Sequence, residues 1–176
     1  MRHPRPSFPS PAASTARRAA RLALVCLALV ATPAGAEPTQ APAIAVIGAP
    51  GGEFSALTRG ELAHIFRRQR ESTAAGLPLV PVNLALGAPL RDAFSRSVFG
   101  LEPDAMEAYW NERYFHGVSP PHVVGSTEAM LRFVHATPTA VGYVWSCEVD
   151  ARAHVLLRLP VPPDDRPAWE ATCRGQ

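Results

Sequence analysis

The feature that most constrains the fold is an alternation of short apolar runs with capped amphipathic helices. Ala43–Gly48 is an apolar run of strand length, and Pro42 and the turn at 49–52 bound it. Thr58 and Glu61 then have the spacing of a capping box, which begins a helix with apolar residues at i, i+3 and i+4. Strands that alternate with helices predict an α/β protein with a layered sheet, in which Ala43–Gly48 is a buried parallel strand.

The rest of the chain continues this alternation. Further strands are predicted at 76–83, 122–124, 140–145 and 154–159, and further helices after Pro89, after Pro103 and after Ser126 or Thr127. Pro78 and Pro81 indicate that the strand at 76–83 is an edge strand or contains a bulge. We expect Trp110 and Tyr114 to face the core, and residues 161–176, rich in proline and aspartate, to form an irregular tail.

The N-terminal 36 residues have the pattern of a secretory signal peptide. Arginines at positions 17, 18 and 21 precede an apolar run at 22–31, and Ala34-Gly35-Ala36 is a small-x-small cleavage site. The run is about half the length that spans a bilayer. A lipid anchor at Cys26 and a twin-arginine signal fit the flanking residues less well. We therefore expect cleavage after Ala36 and a periplasmic mature protein, with its domain at 37–160.

Cleavage would change the charge of the protein. All five basic residues of the segment 1–36 would be lost, which leaves twelve basic and fifteen acidic residues and a net charge of −3. The chain contains no lysine and no extended basic patch, so the sequence favours neither a nucleic-acid partner nor a phosphate-binding loop with a lysine.

Two cysteines, Cys147 and Cys173, lie in the expected mature chain. In an oxidising compartment such a pair favours a disulfide, here one that would attach the proline-rich tail to the body. The alternative is two unreactive free thiols.

Four segments together resemble a known family. They are Leu57–Leu62 with Ile65-Phe66, Arg91–Phe94, and the strand Ala140–Val144. In this order they resemble one lobe of the phosphate-type substrate-binding proteins of ABC transporters, which have the type II periplasmic binding protein fold. The resemblance covers about 44–145 and implies a single lobe with an α/β/α layered sheet, since 140 residues leave little room for a second lobe.

The resemblance is interrupted where the family holds its anion. A Ser-Gly-Thr turn begins a helix there, whereas this chain has Gly87-Ala88-Pro89, without a hydroxyl group and without one amide hydrogen. The resemblance implies a small oxyanion such as phosphate or sulfate, bound weakly. The candidate ligand-binding residues are Gly87, Ala88, Arg91, Ser126 and Thr127.

The resemblance implies an exported, non-enzymatic, substrate-binding-like protein, either a weak oxyanion binder or an accessory to transport. A ligand-free interaction or sensory domain in the periplasm is the alternative, with an envelope or transporter protein as partner, or a homodimer. The residues suggest no catalytic set, cofactor or metal site, because the histidines are scattered and Gly125-Ser126-Thr127 lacks the second glycine of a nucleophile elbow.

Overall fold

The computed structural model describes residues 41–175, so the signal peptide predicted at 1–36 lies outside the described residues. The elements in chain order are β1 (Ala43–Gly48), α1 (Arg59–Phe66), β2 (Val80–Leu84), α2 (Pro89–Phe99), α3 (Pro103–Phe115), β3 (His122–Val124), α4 (Thr127–Ala136), β4 (Ala140–Trp145), β5 (His154–Pro160) and α5 (Arg166–Cys173), with single 3₁₀ turns at Ser146–Glu148 and Pro163–Asp165. Within this range, none of the helices is long and apolar enough to cross a membrane.

The five strands form one mixed sheet in the order β3-β2-β4-β1-β5. β2 is parallel to β3 and to β4, whereas β1 is antiparallel to β4 and to β5. β1 is buried as predicted, but the prediction that it is a parallel strand was wrong. An apolar run shows only that both faces of a strand are covered, and it carries no information about the direction of the neighbouring strands.

Helices cover both faces of the sheet at β4. Gly142 faces α4, since a Cβ atom there would lie 3.0 Å from a methyl group of Val134. The next residue, Tyr143, points to the opposite face, where its ring stacks on Phe94 of α2 at 3.9 Å and lies 6.0 Å from Phe66 of α1. These contacts confirm the predicted α/β/α layering.

β2 is shorter and more central than predicted. It begins at Val80 and lies between β3 and β4, so the edge strand, one of the two predicted alternatives, was wrong. Val80 donates its amide hydrogen toward β4, to the carbonyl of Thr139. Backbone amides of successive strand residues point to opposite sides, so the position of a Pro81 amide would face β3 rather than β4, and its absence leaves the pairing with β4 intact. Pairing with β3 starts only at Val82, so Pro81 lies where that side of the strand is still open.

The C-terminal segment 161–176 is not irregular as predicted, because it contains the helix α5. Pro167 is compatible with a helix start, since the first-turn amide groups need no partner within the helix. Cys173 forms the predicted disulfide with Cys147, with the two Cα atoms 5.6 Å apart. Asp165, just before α5, accepts two hydrogen bonds from Arg96 of α2 at 3.0 and 2.6 Å. These links attach the segment to the body.

Helix α3 is only partly covered. Trp110 is buried as expected, but Tyr114 is 66% exposed, which corrects the prediction that it faces the core. Phe115 is 87% exposed. The two positions 110 and 114 share a helix face, so the last turn of α3 extends beyond the surface that buries Trp110.

Candidate functional site

The predicted binding residues lie beyond one edge of the sheet, in two groups at the starts of two helices. β2 and β3 are parallel and end side by side, with Leu84 paired to Val124. α2 follows β2, and α4 follows β3, so both helices begin beyond this carboxyl edge. In α/β sheets, ligands bind beyond the carboxyl ends of parallel strands, where helix N-termini supply amide groups. The topology therefore brings both groups of candidate residues to the position where a ligand site is expected.

The start of α2 offers few hydrogen-bond donors. Gly87 has φ +76°, a left-handed conformation that favours glycine and turns the chain into the helix. Ala88 is the N-cap and makes no side-chain capping bond. Its carbonyl accepts hydrogen bonds from the amides of Arg91 and Asp92 at 2.8 and 3.2 Å. Pro89 has no amide hydrogen, and the amides of Arg91 and Asp92 point back to the Ala88 carbonyl. The amide of Leu90 is therefore the one donor of this first turn that is left for a ligand.

Arg91 is directed toward the end of β2. Its Nη1 atom donates a hydrogen bond of 2.7 Å to the carbonyl oxygen of Leu84, and the side chain is partly buried. This bond fixes the guanidinium group at the carboxyl edge of the sheet and uses one of its five N–H donors. Arg91 therefore stabilises the strand-to-helix turn, and its remaining donors are available to a ligand.

The start of α4 uses most of its polar groups internally. Ser126 is the N-cap, as predicted, and its hydroxyl oxygen accepts a hydrogen bond of 3.1 Å from the amide of Ala129. The hydroxyl of Thr127 donates a hydrogen bond of 2.6 Å to Glu148, which also accepts one of 3.1 Å from the amide of Trp145. Thr127 therefore links α4 to the end of β4, and Ser126 remains the exposed hydroxyl group at this helix start.

A buried polar pair lies beneath the start of α2. The hydroxyl of Tyr143 donates a hydrogen bond to the side-chain oxygen of Asn83 and accepts one of 3.3 Å from the amide of Leu84. Burial raises the pKa of Tyr143, which keeps the phenol protonated and able to donate. The pair holds the end of β2, and with it the carbonyl group that Arg91 contacts.

A cavity of about 210 Å³ lies between α2 and α3 at the same edge. It is lined by Leu86, Gly87, Arg91, Asp92, Ser95, Pro103, Asp104, Met106 and Glu107. Three carboxylates therefore accompany one guanidinium group, which gives the lining an excess of negative charge. An oxyanion would meet repulsion from these carboxylates, and partial exposure of the site weakens its attraction to Arg91.

Seven of the nine lining residues were not identified from the sequence as site residues, and four of these seven are polar: Asp92, Ser95, Asp104 and Glu107. Burial raises the pKa of Asp92, against the opposing effect of the nearby Arg96 and Arg91 charges. Among residues 41–175, no group of three or more His, Cys, Asp or Glu side chains is arranged to hold a metal ion. Asp92 and Asp104 lie in the first turns of α2 and α3, where acidic residues are common without any ligand, so the sequence carried no specific signal for them.

This layered sheet, with parallel strands that end beneath two helix starts, is a lobe of the periplasmic binding protein-like fold. No protein-family profile matches the sequence, and no curated protein matches it. Solved structures do match it. One is a protein from Clostridium perfringens assigned as a phosphate ABC transporter substrate-binding protein, solved with bound phosphate. It is 18% identical, with a TM-score of 0.54.

A second similar structure is an ABC-type phosphate transport receptor from Vibrio cholerae, which is 15% identical, also with a TM-score of 0.54. The match covers 65% of this chain and 44% of the Clostridium protein, and 77% of this chain and 64% of the Vibrio protein. This chain therefore spans only about half of the structures that it matches, which fits a single-lobe version of the fold. At these identities the likeness shows the fold alone.

Proposed function

We propose that this chain is an exported, non-catalytic binding module that serves as an accessory to a transport or sensory system of the cell envelope. In this role it binds free phosphate or sulfate weakly at most. The fold supports a relationship to transport proteins, and the pattern of residues 1–36 supports export to the periplasm. The protein partner would be an envelope or transporter component.

The start of α2 is the observation that carries this proposal. Ala88 supplies no hydroxyl group there, Pro89 supplies no amide hydrogen, and Arg91 already donates to Leu84. The neighbouring cavity contributes carboxylates rather than hydroxyl groups. A half-exposed anion site of this kind gains on the order of 1 kcal/mol or less from each charge contact, which does not support high-affinity capture.

Calorimetry with phosphate and with sulfate at low ionic strength tests the ligand part of this proposal. We expect no binding tighter than about 1 mM, because the contacts available are few and screened. The variant Arg91→Ala should change any residual heat only slightly. Micromolar binding that Arg91→Ala abolishes would overturn the proposal, since it would require an efficient anion site at this edge.

The export part has a separate test. Fractionation of cells that express the full chain should place the protein in the periplasm, and N-terminal sequencing should begin at Glu37. Retention of the segment 1–36 on a cytoplasmic protein would contradict it.

A ligand-free interaction domain is the second candidate function, and the last turn of α3 favours it. Tyr114 and Phe115 are 66% and 87% exposed, and their rings meet edge to face with centroids 6.5 Å apart. Exposed aromatic residues are enriched at protein interfaces. A second copy of the chain or an envelope protein would bind there.

Crosslinking in cells and light scattering test this second function. Phe115→Ala should reduce recovery of a partner or dissociate a homodimer, whereas Leu77→Ala should not. Leu77 is a matched control because it is also exposed, at 45%, and lies in a different segment. A monomer without a crosslinked partner, or equal effects of the two variants, would argue against an interface at α3.

A further inference from the structure

We infer that the surface where the second half of α3 meets the end of α1 docks an acidic segment of a protein partner. We call it the arginine surface, and it comprises Arg67 at the end of α1 with Tyr109 and Arg113 of α3. This inference rests on the interaction role proposed above for α3 and adds the chemistry of the partner.

A contact between the two helices brings the arginines together. The hydroxyl of Tyr109 donates a hydrogen bond of 3.3 Å to the backbone carbonyl of Arg67, which joins α3 to the end of α1. Arg113 lies four residues after Tyr109, so these two residues are neighbours on one face of α3. Both arginines therefore lie next to Tyr109, and the junction carries two positive charges.

The charge of Arg67 has a supporting ring but no acidic partner. Its guanidinium group lies over the ring of Phe99, 5.0 Å from the centroid, and the side chain is half-buried. A ring face attracts the cation but supplies no carboxylate. Within residues 41–175, Arg67 forms no ion pair. The guanidinium group is therefore held in place, and its charge remains for a partner to balance.

The buried Nε atom of Arg113 points to a ligand. In the part of the chain that the structure describes, this atom has no hydrogen-bond partner and Arg113 forms no ion pair. Buried N–H groups normally have an acceptor. The Nε atom of Arg96, by comparison, donates to the carboxylate of Asp165 at 3.0 Å. A carboxylate that meets the guanidinium end of Arg113 would balance a charge that is already partly removed from water.

The surroundings of the two arginines favour a short acidic segment over an anionic membrane or a nucleic acid. The expected mature chain has a net charge of −3, and the exposed Glu107 and Glu112 also lie on α3. These charges would repel an extended anionic surface, whereas a single peptide segment contacts the arginines alone. Tyr114 and Phe115 are exposed directly after Arg113, so the same partner also gains aromatic contacts.

Titration of the mature protein with the acetylated peptide Glu-Phe-Glu-Glu-Phe-Glu, followed by amide NMR shifts, is the direct experiment. We expect saturable shifts confined to the end of α1 and the second half of α3. The peptide Lys-Phe-Lys-Lys-Phe-Lys should produce none there, because it has the same aromatic residues with the opposite charge. Binding of the acidic peptide should weaken as salt is added, since the contacts are electrostatic.

Variants identify the site. The double variant Arg67→Gln/Arg113→Gln should weaken binding of the acidic peptide by about tenfold, several-fold for each arginine. Arg158→Gln/Arg166→Gln is the matched control, because it removes the same charge from exposed arginines on β5 and α5. It should leave the affinity within about twofold. Arg67→Lys/Arg113→Lys keeps the charge without the planar fork and should retain part of the binding. Thermal unfolding of each variant confirms that the fold persists.

Three outcomes would overturn the inference. They are the absence of saturable shifts with the acidic peptide, equal weakening by the two glutamine double variants, and equal shifts at the arginine surface with the lysine peptide. Phosphatidylglycerol vesicles are the membrane arm of the test. Vesicle binding that Arg67→Gln/Arg113→Gln abolishes, without peptide binding, would assign the surface to the membrane and overturn the inference.

Crosslinking in cells keeps this inference apart from the proposed function. A protein partner that is lost with Phe115→Ala but recovered unchanged with Arg67→Gln/Arg113→Gln preserves the interaction role of α3 and overturns only the arginine surface. A partner lost with both variants supports the inference.

Discussion

Replacement of Gly142 by alanine tests the closest approach between a helix and the sheet. A Cβ atom at this position of β4 would lie 3.0 Å from Cγ2 of Val134 and 3.2 Å from Cγ of Met130, and it would overlap the Met130 sulfur. Both side chains of α4 are 0% exposed, so neither can turn into solvent. The added methyl group must therefore push α4 away from the sheet or force strained rotamers.

Two opposing effects determine the size of the change. Extra methyl groups in a packed core cost about 1–3 kcal/mol, whereas alanine in place of a strand glycine gains about 0.5–1 kcal/mol of chain entropy. We therefore expect Gly142→Ala to lower the free energy of unfolding by about 1–2 kcal/mol. We expect a net loss of stability rather than a gain, because the new methyl group meets two fully buried side chains, Met130 and Val134.

Urea unfolding followed by circular dichroism measures this difference, and Gly60→Ala is the control. Gly60 lies on α1, and a Cβ atom there would have no neighbour within 4 Å. This change should stabilise the protein by up to about 1 kcal/mol through helix propensity. If Gly142→Ala is as stable as the original protein, with an unchanged denaturant slope, α4 does not pack on β4 as described.

A double-mutant cycle with Val134→Ala sharpens the experiment. Val134→Ala removes one of the methyl groups that the new Cβ atom meets. The two changes together should therefore cost less than the sum of their separate effects, by about 0.5–1 kcal/mol. Simple additivity would indicate that the cost of Gly142→Ala arises elsewhere.

The remaining predictions concern the disulfide, the buried tyrosine and Asp92. Loss of the bridge in Cys147→Ala/Cys173→Ala should lower the unfolding free energy by about 3–4 kcal/mol for a loop of 26 residues, as measured by urea unfolding; a loss under about 1 kcal/mol would contradict this. Tyr143→Phe removes a buried hydrogen bond and should cost about 1–2 kcal/mol in the same assay, whereas the exposed control Tyr114→Phe should be neutral; equal effects would refute the buried role. Burial raises the pKa of Asp92, so its ionisation opposes folding at neutral pH, and Asp92→Asn should increase stability at pH 7. That gain should disappear as the pH falls below the ordinary aspartate range, because Asp92 is then neutral in both states; a gain that persists in acid would have another cause.

Local determinants made much of the fold predictable. The capping box at α1 is present, with the amide of Thr58 donating to Glu61 at 2.9 Å and the amide of Glu61 donating to Thr58 at 3.2 Å. Ser126 caps α4, and the two cysteines form a disulfide. Each of these features depends on residues close in sequence or on a unique pair, so the sequence contains the information needed to predict it.

Features that depend on distant neighbours were not predictable in the same way. The antiparallel direction of β1 is set by where the chain enters the sheet, and the residues of Ala43–Gly48 are compatible with either direction. The helix α5 was missed because the prolines of the segment 160–167 suggest a loop, whereas Trp169 packs against the core and the Arg96–Asp165 pair holds the start of the helix. Tertiary contacts, rather than local composition, therefore decide both features.

The cavity shows why the candidate site was harder to predict than the fold. Asp92 and Asp104 each have a sufficient local explanation, since an acidic residue in the first turn of a helix is favoured by the helix dipole. Only the crossing of α2 and α3 brings these two first turns to one cavity beside Ser95, and a connection of three residues, 100–102, permits several crossing angles. The same crossing places carboxylates beside Arg91, which on sequence alone was a candidate anion ligand. The charge of a binding site therefore depends on the packing angle between helices as well as on the residues of each helix.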